Sequence, residues 1–130
     1  MDAHLLFAWT WILVGLVVGV LLGAFFDRED WLGGYGSWPR RLVRLGHVSF
    51  VGTGLLNLGA HWTLASLNVD GPVAGWIRAA LVAGAVTMPA VCFLAAWAPR
   101  LRRWFALPVV SLIAATAMLA FATTVAGAEV

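Results

Sequence analysis

The stretch Leu5–Phe26, LLFAWTWILVGLVVGVLLGAFF, carries no charged side chain and is stopped by Asp27-Arg28-Glu29-Asp30. At ~1.5 Å per residue a helix over it spans about 30 Å, the thickness of a bilayer's hydrocarbon core. Backbone polar groups in lipid must be satisfied within the segment, so such a stretch is helical. Three further runs follow, at about 43–67, 73–98 and 104–125. Turn formers and charge separate them: the Gly- and Trp-rich loop 27–41, Asn68-Val69-Asp70-Gly71-Pro72, and Pro99-Arg100 with Arg102 and Arg103. The predicted fold is all-α, an integral membrane four-helix transmembrane bundle that takes residues 1–130 as one domain.

Composition supports that reading. Of 130 residues, 62% are hydrophobic and 11% charged, and mean hydropathy is +0.93. A soluble domain carries about 25% charged residues, so a soluble globular enzyme is excluded. The single cysteine, Cys92, rules out an internal disulfide framework or thiolate cluster. A net charge of +2 is explained by topology, and membrane lipid, not nucleic acid, is the expected partner.

All eight basic residues are arginines. Arg28, Arg40, Arg41, Arg44, Arg100, Arg102 and Arg103 fall at one side of the four runs. Arg78 falls at the other, with Asp2, Asp70 and Glu129. The positive-inside rule makes the first side cytoplasmic, so both termini face outward (N-out/C-out), in what is expected to be a bacterial inner membrane. Tryptophans give two belts, Trp62 and Trp76 at the outer level and Trp31, Trp38, Trp97 and Trp104 at the inner. Trp9 and Trp11 sit deeper, where packing on a neighbour is expected. The first run lacks the basic start and short apolar stretch of a cleaved signal.

No Asp, Glu or Lys lies inside a run, which argues against a proton-coupled exporter. The sequence has no phosphate loop, nucleophile elbow or HExxH pattern. No catalytic residue and no metal site are assigned, and the protein is not expected to be an enzyme. The candidates for cofactor binding are the three histidines. His47 and His61 lie 14 residues apart on the second run, within about 40° of one face and roughly 21 Å apart along the axis. Gly54, midway on that face, leaves room for a flat macrocycle. This interval resembles the histidine spacing of di-haem cytochrome b subunits. The resemblance covers one helix and implies a haem b ligated by His61 with His4 or His47, or, less favoured, a (bacterio)chlorophyll. His4, at the outer start of the first run, is the internal partner that shares a depth with His61.

Two features point to packing. Gly15, Gly19 and Gly23 form GxxxGxxxG, a stripe that lets another helix approach backbone to backbone. Asn57, an amide in lipid, seeks a partner on another helix. The expected function is a small accessory subunit of a larger respiratory or photosynthetic electron-transfer complex, with other membrane subunits as partners. The alternative is a homo-oligomeric channel or transporter lined by Asn57, Thr53, Thr87 and the hydroxyls of the fourth run.

Overall fold

The computed structural model describes residues 2–127, so the expectation placed on Glu129 lies outside the described residues. Four α-helices follow one another: α1 (Ala3–Gly23), α2 (Trp38–Ser66), α3 (Gly71–Trp97) and α4 (Ala106–Gly127). Short 3-10 turns at Trp31–Gly33 and Pro99–Phe105 lie in the two connections at the arginine-rich end.

The helix ends differ from the sequence expectation where capping chemistry outweighs composition. α2 starts at Trp38 rather than near 43, so Arg40 and Arg41 belong to its first turn and not to a loop. The Ser37 hydroxyl accepts from the Arg40 N–H at 3.3 Å, and Pro39 occupies a position where its missing N–H goes unmissed. α1 ends at Gly23, and residues 24–27 form turns that bring Phe26 and Arg28 back toward α2. The chain leaves the C-terminal end of α2 through Asn68, in the left-handed region at φ 52°, a conformation Asn tolerates. α4 begins two residues after Trp104, because Pro99–Phe105 is wound as the tighter 3-10 form.

The helices pack as a row. α1 lies on α2, α2 on α3 and α3 on α4. Small residues sit at each crossing. A side chain at Gly15 would place its Cβ 2.7 Å from Cβ of Phe50 on α2, and one at Gly19 would meet Nε2 of His47 at 2.6 Å. Gly46 brings α2 against Cys92 and Phe93 of α3, and Gly84 receives Leu112 of α4. Two apolar clusters fill the interior. One, at the end where α2 joins α3, centres on Ala60, Leu64, Ile77, Leu81 and Ala115. The other, at the arginine-rich end, centres on Leu42, Val43, Ala95 and Ala96.

The protein is a membrane protein: α1, α3 and the segment Pro99–Ala126 are each long and apolar enough to cross a bilayer. α2 falls short of that measure; it carries His47, Asn57, His61 and four glycines, and its buried face includes Arg40, Ser49, Thr53 and Asn57. It is one of the two inner helices of the row, so α1 and α3 cover much of what lipid would reject. Trp62, Trp76, Trp97 and Trp104 are exposed near the helix ends, whereas Trp11 packs on Phe7 and on Phe50 of α2.

Candidate functional site

The site is assembled around the start of α1. Asp2 precedes the helix in extended conformation, and its Oδ1 accepts from the His4 and Leu5 N–H groups at 2.9 and 3.2 Å. This cap fixes the rotation of the first turn and turns His4 inward. His4 is buried, and its Nε2 lies 2.9 Å from Oδ1 of Asn57. Asn57 Nδ2 is committed as a donor, to the Thr53 carbonyl at 2.8 Å and across to the Leu81 carbonyl of α3 at 3.4 Å. Its oxygen must therefore accept, and His4 carries its proton on Nε2. Nδ1 of His4 is left buried without a partner among the described residues.

His61 approaches from α2, one turn beyond Asn57. Its ring centroid is 6.1 Å from that of His4, with the planes at 43°. Its Nδ1 lies 3.4 Å from Oδ2 of Asp2, an ion-pair distance without hydrogen-bond alignment. Asp2 thus caps α1 with one oxygen and faces His61 with the other. The Leu5 N–H holds its carboxyl below the usual value of 3.8, aided by the His4 N–H and the charges of His61 and Arg78, and opposed by desolvation. Arg78 of α3 completes the group, with a buried Nε that has no partner among the described residues. The cluster runs from a half-exposed carboxylate at its mouth to a fully buried amide at its floor. It can hold a proton and anchor three helices to one another.

Below Asn57 the polar stripe of α2 closes on its own backbone. Thr53 Oγ1 donates to the Ser49 carbonyl at 2.6 Å, and Ser49 Oγ to the Gly46 carbonyl at 2.7 Å. Thr87 donates to the Ala83 carbonyl and Ser111 across to the Ala80 carbonyl of α3. Thr116, Thr123 and Thr124 are exposed on α4.

A haem between His4 and His61 was tested against this geometry. The ring separation alone is compatible with a shared metal, which takes each imidazole nitrogen at about 2.0–2.1 Å. The surroundings are not. Gly54 does not leave a gap: a Cβ there would lie 2.6 Å from Cγ1 of Ile12 and 3.3 Å from the Ala8 carbonyl. The expected room for a macrocycle is taken by α1 itself, because Gly54 is where the two helices cross. Nε2 of His4 is already spent on Asn57. His47, the other expected ligand, lies against Gly19 at the opposite end and does not meet either histidine. The residues present do not fit a haem, and no group of three or more His, Cys, Asp or Glu able to hold a metal ion occurs among the described residues.

Asp2 and Arg78 were not singled out as site residues by the sequence. Their signal was present: Asp2 stands two residues before His4, the spacing of a helix cap, and Arg78 breaks an otherwise apolar run on the wrong side of the charge pattern. No family model matches the chain, and neither a curated protein nor a solved structure matches it.

Proposed function

We propose that this protein is a small accessory subunit of a larger membrane complex of the energy-converting kind, acting by packing against other subunits. The observation that carries the reading is the open row. α1 and α4 each rest on one neighbour, so only 11% of the spanning window of each is buried, against 44% for α3. Two long apolar faces, including Leu13, Leu16, Val17 and Val20 on one side and Val110, Ile113 and Phe121 on the other, are thereby available to other membrane helices. The polar groups expected to line a channel, Thr53, Asn57, Thr87 and Ser111, each donate to a backbone carbonyl, which favours this role over a channel. The imidazole pair, His4 buried and His61 partly so beside the half-exposed Asp2 carboxylate, supports a complex that moves protons. Seven of the eight arginines, all but Arg78, sit at one end of the row, which favours an N-out/C-out orientation in a bacterial inner membrane.

The test is purification from the native membrane in a mild detergent. The chain should migrate with larger membrane subunits in fixed stoichiometry, and those partners should carry redox centres. Stripped of them, it should be colourless in both oxidised and dithionite-reduced spectra. Recovery as a free homo-oligomer that conducts ions in planar bilayers would replace this reading with the channel. Partners without redox or proton-moving activity would remove the energy-converting class.

A further inference from the structure

At the arginine-rich end a cavity of about 250 Å³ opens between the last turn of α1, the Gly-rich loop and the first turns of α2. Its lining includes Arg40, Arg44, His47, Tyr35 and Trp31, and no carboxylate. Arg40 is only 4% exposed. Its guanidinium donates to the carbonyls of Phe26, Arg28 and Glu29 at 3.1–3.3 Å and lies over the Trp31 and Tyr35 rings. Arg44 also lies over the same tyrosine, 4.7 Å from its centroid. Among the described residues neither guanidinium has a carboxylate within 4 Å.

A buried cation without a counter-ion is costly, and carbonyl dipoles and ring faces offset that only in part. The fold thus concentrates positive charge around a cavity and leaves the negative charge to come from outside. The cavity's rim is apolar: Phe26 and Val48 are well exposed beside it, and Leu22 lies in its wall. Gly23, the third glycine of the stripe, has no atom within 4 Å of where its Cβ would stand. Gly15 and Gly19 are filled by α2, so Gly23 is the one that stays open.

We propose that this cavity binds the phosphate-bearing headgroup of an anionic phospholipid, with Arg44 and His47 donating to phosphate oxygens above the fixed charge of Arg40. Pockets that enclose a drug-sized ligand run to about 300–1,000 Å³, so this smaller one suits a headgroup better than a nucleotide. The acyl chains pass over Gly23 and lie along α1 beside Leu22. The Gly-rich loop acquires a purpose: its left-handed Leu32, Gly33 and Gly34 turn Trp31 and Tyr35 onto Arg40. The inference is independent of the accessory-subunit reading and requires only that the arginine-rich end meet a membrane surface.

The full chain, delipidated in a neutral detergent, is mixed with phosphatidylglycerol or with phosphatidylcholine of the same chain length, and retained lipid is counted by native mass spectrometry. One phosphatidylglycerol per chain should be retained over phosphatidylcholine. Arg44→Gln should weaken retention about fivefold, the effect of one cation near a lipid surface. Gly23→Leu, whose Cβ has open space around it, should abolish it while leaving the melting curve unchanged. Arg102→Gln removes a cation from the same end but outside the cavity and should have no effect. Equal loss with Arg102→Gln would reduce the binding to general surface charge and overturn the site. Retention unaltered by Gly23→Leu would overturn it too. Displacement of the lipid by millimolar inorganic phosphate would keep an anion site but overturn its assignment to lipid.

Discussion

Asn57 is the residue on which the most helices converge. It accepts from His4 of α1 and donates to a carbonyl of α3 while rooted in α2. Interhelical hydrogen bonds in membranes average about 0.6 kcal/mol and reach about 1–2. Replacing Asn57 with leucine loses that and leaves both nitrogens of a buried imidazole unpartnered, a further penalty of about 1–3 kcal/mol. Asn57→Leu should therefore lower the melting temperature in detergent by several degrees, while Thr116→Val on the exposed face of α4 should not change it. Adding His4→Leu to Asn57→Leu should recover part of the loss, because the orphaned imidazole goes with it; purely additive losses would contradict the assigned bond. Asp2 sets a pH dependence of definite sign. Its folded pKa is depressed, so its contribution is complete above about 3.8 and is lost as pH falls through the lower folded value. The Leu5 amide resonance should move in that acid range, and the movement should vanish in Asp2→Asn.

At the scale of elements the glycine stripe divides into parts with opposite tolerance. Gly15 faces Cβ of Phe50 at 2.7 Å and the Val51 backbone N at 3.3 Å, contacts that cannot swing aside as a flexible side-chain tip can. Gly15→Leu should push α1 off α2 and destabilise the fold by at least the ~1–3 kcal/mol typical of overpacking, seen as a lower denaturant midpoint. Gly23→Leu, with open space around it, should leave that midpoint where it was. The sequence displays the GxxxGxxxG spacing but not this division, because spacing fixes which residues share a stripe and not how far the partner helix extends along it. The helix cores were legible for the same reason that their starts were not. A bilayer imposes length and apolarity over some 20 residues, whereas a start depends on one hydroxyl, as at Ser37. The histidine spacing on α2 was real as a face, but the occupant of that face came from Ile12 on another helix. Nothing in α2's own sequence encodes it.

At the scale of the molecule the row makes α2 dependent on its neighbours in an unequal way. α1 covers Gly54 with Ile12 and Ala8 and supplies the partner of Asn57, and α3 covers Gly46 with Cys92 and Phe93. α4 touches α2 little and packs mainly on α3, through Gly84 and the apolar cluster that includes Ala115. Losing α4 removes apolar contacts that lipid tails can replace, since lipid is as apolar as leucine. Losing α1 turns Asn57 and its neighbours toward a medium that cannot hydrogen-bond them, at several kcal/mol for each group left unsatisfied. A chain truncated after residue 98 should therefore remain folded, with the Trp38 indole still donating to the Ala95 carbonyl and the Leu42–Ala95 cluster retained. A chain starting at residue 25 should fail to hold α2 across the membrane. Limited proteolysis of both truncations in lipid nanodiscs, read as protection of the α2–α3 segment, distinguishes these outcomes. Equal protection in the two would mean that α3 alone shields α2 and that α1 is a passenger; the placement of His4 and Ile12 argues the reverse.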